Sequence, residues 1–149
     1  MRVLAIDYGE FRTGLAVSDS TGTIASPFAV ICEKNFDALI EKIAHTAQEN
    51  DICEIVVGNP INMNGTKSER GVKCELLAEK LQHLLSDTRV SVTMWDERLT
   101  TISANSIINM NNQRKSVRMR KRRENVDAVA AAVILEGYLG YCKNRNSYS

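Results

Sequence analysis

At 149 residues, with 44% hydrophobic and 25% charged side chains, the chain is long enough to bury one sizeable core and too apolar to be disordered. Its longest apolar run, Ala128 to Leu135, falls short of the roughly 18 residues a membrane span needs, and the expectation is a chain without a signal peptide. The net charge of +1 conceals an asymmetry: Arg114 to Arg123 holds seven of the 19 Lys and Arg and no acid, leaving 12 bases against 18 acids elsewhere.

In chain order, Arg2 to Tyr8 and Thr13 to Ser18 read as strands joined tightly through Gly9, and a turn at Ser20-Thr21-Gly22 leads into a third, Ile24 to Cys32. Pro27 marks that third strand as an edge or as bulged. From Phe36 the period becomes helical: Phe36, Leu39, Ile40, Ile43, Ala44 and Ala47 share one face behind an Asn35 cap. Ile52 to Gly58 is a buried strand. The loop NPINMNGTKS precedes a second helix with Val72, Leu76, Leu77, Leu81, Leu84 and Leu85 as its stripe, and Val90 to Trp95 is the fifth strand. A third helix is expected from about Thr100. After the basic block a last helix runs from about Asn125 to Tyr141, with Val126, Val129, Ala130, Val133, Ile134 and Tyr138 inward. The expectation is one α/β domain over residues 1–149. Its five-stranded mixed sheet has an antiparallel three-strand meander followed by parallel strands, with helices on both faces.

Cys32, Cys53, Cys74 and Cys142 are widely separated with no CxxC pair, which argues against a zinc site and a thioredoxin-type motif. They read as reduced, mostly buried thiols of a cytoplasmic protein. Asn64-Gly65-Thr66 is a glycosylation sequon in form only, since a cytoplasmic chain does not meet the enzyme that would use it.

Three acids stand at element ends. Asp7 closes an apolar first strand, Glu97 follows the fifth strand in WDER, and Asp127 lies in the first turn of the last helix. Two have ready structural readings, Asp127 as a cap or dipole partner and Glu97 as a surface pair with Arg98, whereas Asp7, a strand acid followed by Gly9 where the backbone can approach a ligand closely, favours function. In an open α/β sheet, however, the carboxyl ends of parallel strands are where ligands gather. Three clustered carboxylates repel one another unless divalent cations fill the space between them. Hard oxygen donors suit Mg²⁺ or Mn²⁺, and two such ions about 3.5 to 4 Å apart serve phosphodiester cleavage. The basic block sits immediately before Asp127, so Arg118, Arg120, Lys121, Arg122 and Arg123 read as a phosphate-binding loop beside that site.

DYGEFRTGLAVSD (Asp7 to Asp19), GNPINMNG (Gly58 to Gly65), DERLTT (Asp96 to Thr101) and ENVDAVAAAVILEGYL (Glu124 to Leu139) together resemble the YqgF family, also called RuvX. The resemblance covers nearly the whole chain in order. It implies an RNase H-like fold related to the RuvC resolvases and a metal-dependent nuclease, acting chiefly in maturation of the 5′ end of pre-16S rRNA; an older assignment is Holliday junction resolution. By motif, Asp7, Glu97 and Asp127 match the family's three acids. Arg12 falls where the family's hairpin Arg falls, as a phosphate-positioning residue or a hairpin ion pair, and Arg98 and Thr101 are supporting candidates. The family's usual GLP is Gly58-Asn59-Pro60 here, which bears on the packing or substrate fit of that loop. Asn62 and Asn64 are candidates for phosphate or sugar contact, with turn formation their commoner job.

Two other classes stand beside the nuclease. One is a non-catalytic module binding RNA or an assembling ribosomal subunit. The other is an actin-like ATPase, which closes two such domains around ATP where this chain supplies one, and no GxxxxGK[ST] loop is present. The partner is structured RNA or branched DNA. With aromatics at 5%, recognition rests on backbone charge and shape. Monomer and homodimer both remain open; Ile107, Ile108 and Met110 offer a small dimer surface, or pack on the chain's own sheet. Converting Arg120, Lys121, Arg122 and Arg123 to Ala should weaken RNA binding and flatten its salt dependence, measured by titration at several ionic strengths. An unchanged slope would return the block to a solvated loop.

Overall fold

Val3, Leu4, Ala5 and Ile6 are all buried, as a strand covered on both faces requires. In this computed structural model, which describes residues 1–99 and 122–147 (for 122–125 and 146–147 the backbone only), they belong to β1 (Arg2–Asp7) at the centre of a five-stranded sheet. The strand order is β3-β2-β1-β4-β5, with β2 (Arg12–Ser18), β3 (Ala25–Cys32), β4 (Ile52–Asn59) and β5 (Ser91–Asp96). β1, β2 and β3 form the expected antiparallel meander, and β4 and β5 continue in parallel from β1. Pro27 is both at an edge and at a bulge: Leu15 pairs with Ala29 and Ala16 with Pro27, leaving Phe28 as the extra residue.

Alternation along the strands sorts the core into two layers. Leu4, Ile6, Leu15, Ile55 and Val57 face α1 (Phe36–Glu49) and α2 (Glu69–Leu84), while Val3, Ala5, Ala16, Val56 and Trp95 face α3 (Arg122–Ser147). Asn35 caps α1 as expected, its side chain accepting from the Ala38 N–H at 2.9 Å. Ser68 does the same for α2, accepting from Gly71 N–H at 3.1 Å. Trp95 ties α3 to β5, with ring centroids 5.6 Å from Tyr138 and 5.2 Å from Tyr141.

Both later helices bury only part of the face their large apolar residues suggest: Leu77, Leu81, Leu85 and Ile134 are buried as expected, and Tyr138 packs against the same layer as Ile134. α2 buries Gly71, Cys74, Leu77, Ala78 and Leu81, leaving Val72, Leu76 and Leu84 exposed. α3 buries Ala128, Ala131, Ala132, Ile134 and Leu135, leaving Val126 exposed. In each case small residues share the contact with Leu77 and Leu81 or with Ile134 and Leu135, and let the helix axis approach the sheet closely. α3 also begins at Arg122 and ends at Ser147, longer at both ends than expected. The cysteines are less buried than expected: only Cys74 is buried, and Cys32 is exposed on edge strand β3. The expected third helix lies outside the described residues, as do Ile107, Ile108 and Met110; only the short 3₁₀ turn Glu97–Leu99 is described at its start. Among the described residues no helix is long and apolar enough to cross a membrane.

Leu81 is fully buried and Leu84 is 50% exposed, so the two test the face directly. Leu81→Ala should cost about 2–5 kcal/mol, the range for truncation in a closed core. Leu84→Ala should cost under about 1 kcal/mol. Urea unfolding of both variants is the check, and equal losses would reject this orientation of α2.

Candidate active site

Asp7 ends β1 at the edge of the sheet where the parallel strands β1, β4 and β5 also end. Register places Gly14 of β2 beside it, and on the other side Gly58 follows the Ile6–Val57 pair. By alternation Asp7, Gly14 and Gly58 all present the α3 face. The two glycines decide what can approach. A Cβ at Gly14 would lie 2.0 Å from the backbone carbonyl oxygen of Asp127, and a Cβ at Gly58 would lie 2.6 Å from Glu97 Oε1. The missing side chains thus let α3 bring Asp127 down on one side of Asp7 and let the Glu97 carboxylate reach in on the other. α3 starts at Arg122, so Asp127 lies beyond its first turn, where a cap or dipole role no longer applies.

The electrostatics agree with that proximity. Burial raises the Asp7 carboxyl above its ordinary value, Arg70 opposes the rise, and Asp127 adds to it. Burial likewise raises Glu97, with Asp7 next in effect, while Arg70 again opposes. Cys74, on α2 nearby, is pushed up to about 12 by burial, so its thiol stays protonated and is no thiolate ligand.

Arg70 is the residue that sequence reasoning missed. Its guanidinium donates to Asp7 Oδ1 at 2.5 Å, and its Nε donates to the Tyr8 carbonyl oxygen at 2.9 Å. One signal was available: Arg70 lies in the first turn of α2, where a cation opposes the helix dipole and needs an acid to justify it. Arg98, by contrast, is turned away from Glu97. It forks onto Asp96, with contacts of 2.8 and 3.1 Å, and holds that carboxyl below its ordinary value. Arg12 opens β2 and lines a cavity of about 370 Å³ with Phe11, Val126 and Asp127. Arg118, Arg120, Lys121 and Thr101 lie outside the described residues; Arg122 and Arg123 form the first residues of α3, their side chains outside the described set. Asn62 and Asn64 close their own loop, both bonding to Thr66, which is their turn-forming role. Asn59 is buried with its Oδ1 unpartnered, the local cost of an amide at that position.

Among the described residues, no three His, Cys, Asp or Glu side chains close into a ready-made metal cage. The donor set nonetheless has the chemistry of a hard-cation site: partly buried carboxyls at Asp7 and Glu97, raised chiefly by burial and further by a neighbouring acid, with a cation, Arg70, already drawn to Asp7. A larger cavity, about 730 Å³, surrounds Met1, Glu54, Tyr138 and Cys142 at the opposite end of β1 and does not reach the acids. Volume alone does not locate the chemistry here.

A mixed sheet in this order, with acids at the carboxyl edge of β1 and on the helix crossing it, defines the RNase H-like class of nuclease folds. RuvC of Thermus thermophilus shares the fold, with a TM-score of 0.63 over 96% of both chains at 11% identity. The yeast mitochondrial Holliday junction resolvase Ydc2 does so at 0.55 and 13% identity, over 92% of this chain and 77% of that one. The family model described as "RuvX: Holliday junction resolvase" matches residues 1–141, and this chain belongs to that family. Relatives named "Putative pre-16S rRNA nuclease" include those of Ruminiclostridium cellulolyticum, 36% identical over 140 residues (93% of this chain, 94% of that one), and Lachnospira eligens, 38% over 142 residues (93% and 96%).

Because both carboxyl pKa values are raised, the folded state holds these protons more tightly than the unfolded chain. Each carboxylate therefore weakens the metal-free fold as pH rises from its ordinary value through the raised one, and the weakening is complete above that window. Asp7→Asn should unfold at a higher temperature than wild type at neutral pH in EDTA, and the gap should close as pH falls below the ordinary Asp value of 3.8. A variant less stable than wild type at neutral pH would mean that the Arg70 ion pair outweighs the cost of burial.

Proposed function

We propose that this chain is a cytoplasmic, metal-dependent nuclease that hydrolyses phosphodiester bonds in 5′-end maturation of pre-16S rRNA, with the assembling small ribosomal subunit as its setting. The observation that carries the reading is the approach of Glu97 and Asp127 to Asp7 over Gly58 and Gly14. The substrate rests on the names of the relatives. Asp7, Glu97 and Asp127 would hold two Mg²⁺ or Mn²⁺ ions, which when bound activate a water and stabilise the leaving oxygen. The chain's own residues do the rest. Gly14 and Gly58 keep the carboxylates close, Arg70 balances Asp7 when no other cation is near, and Arg12 stands at the mouth of the site to hold a substrate phosphate.

Holliday junction resolution is the second reading, favoured by the family description and by a fold shared with RuvC bound to a Holliday junction substrate (TM-score 0.58, 12% identity, 96% of this chain). It requires a symmetric dimer to set two sites against two strands.

A cleavage assay separates the two, offering a pre-16S rRNA leader fragment and a four-way DNA junction in matched Mg²⁺, Mn²⁺ and EDTA. Metal-dependent cutting of the RNA is the expected result, reduced about a hundredfold or more in Asp7→Asn as several kcal/mol of charge stabilisation is lost. Paired nicks in the junction would favour the resolvase. An Asp7→Asn variant that cuts RNA at the wild-type rate would remove Asp7 from the mechanism.

A further inference from the structure

The β1–β2 hairpin carries an aromatic side chain that neither core uses. Phe11 is 59% exposed, and the Lys34 ammonium stands 5.4 Å from its ring centroid. Val126 on α3 is 41% exposed. Single exposed apolar residues need no explanation, but these two line one cavity. The remaining walls of that cavity, about 370 Å³, are Arg12 and Asp127. Asp127 also lies close enough to Asp7 to raise its carboxyl, so the cavity borders the acid cluster. The groove therefore combines an aromatic ring, an aliphatic flank and one cation, Arg12, with Lys34 over the Phe11 ring beside it, and ends at a carboxylate of the proposed site.

We propose, on the reading of this chain as a nuclease, that the groove seats one unpaired nucleotide next to the bond to be cut. Its base stacks on Phe11 and packs on Val126, and its phosphate is held by Arg12 and Lys34. A base inside a continuous duplex has both faces stacked and cannot offer one to Phe11, whereas a base in a loop, bulge or single-stranded end can. The groove thus selects nucleic acid that is unpaired at the cleavage position. This adds a base contact to the backbone charge and shape expected from the low aromatic content.

The test is equilibrium binding in EDTA, where no cutting occurs, of a short single-stranded RNA carrying 2-aminopurine and of a blunt duplex of the same sequence. Stacking should quench the 2-aminopurine signal on the wild-type protein and on Phe11→Trp. Phe11→Ala should lose the quenching and bind the single strand about 5- to 100-fold more weakly, with duplex binding unchanged. Equal affinity of Phe11→Ala and wild type for the single strand, no quenching, or no binding of either RNA would overturn the groove. Because the readout is binding, its failure is separable from failure of the nuclease reading. Metal-dependent cutting with no effect of Phe11→Ala leaves the nuclease without the groove, and quenching without any cutting leaves the groove without the nuclease.

Discussion

The rest of the molecule is arranged around a carboxylate at the end of a strand buried on both faces. A charge at Asp7 is costly there, and the neighbouring residues are those that make it tolerable. Arg70 reaches from α2 to neutralise it, anchored on the Tyr8 carbonyl so that the guanidinium is held at the sheet edge. Gly14 and Gly58, the flanking positions on β2 and β4, are vacant of side chains on the same face. That vacancy lets two further acids approach, which makes the electrostatic problem worse in the absence of cations. A protein selected for stability alone would fill such positions with apolar side chains, so the arrangement speaks for ligand binding.

The strands were legible because each is a short apolar run between turn residues, and the α1 cap because Asn35 directly precedes a periodic face. Of the three acids expected at element ends, Asp7 closes β1 and Glu97 follows β5, whereas Asp127 sits inside α3, past its first turn. Arg70 was not legible, since its partner is 63 residues away in sequence and nothing local pairs them. Only its position against the helix dipole hinted at an acid. The inward faces of α2 and α3 were legible only in part, for a different reason. Reading apolar periodicity favours large side chains and finds Leu77, Leu81 and Ile134, whereas Gly71, Ala78, Ala128, Ala131 and Ala132 share the contact because they are small. How closely a helix can approach a sheet is a property of the pair and is not written in either segment.

Arg98 and Arg70 show how position rather than residue type assigns a basic side chain. Both are arginines near the acid cluster, yet Arg98 is held by its near neighbour Asp96 in a local fork, and Arg70 crosses between elements. The first is an exposed pair whose contribution to stability is small. The second engages an Asp7 side chain that is only 17% exposed, and so shares in the electrostatics of the proposed site.

The order of the three acids along the chain has a consequence for synthesis. Among the described residues, the layer formed by Val3, Ala5, Val56 and Trp95 is covered by α3 alone, the helix that also carries Asp127. A nascent chain that has emerged as far as β5 therefore has one sheet face bare and an incomplete set of carboxylates. Closing that face and completing the set are a single event, the docking of α3 onto Gly14 and its neighbours. If the proposed activity is correct, a ribosome translating this message is exposed to a competent nuclease only once the fold is finished.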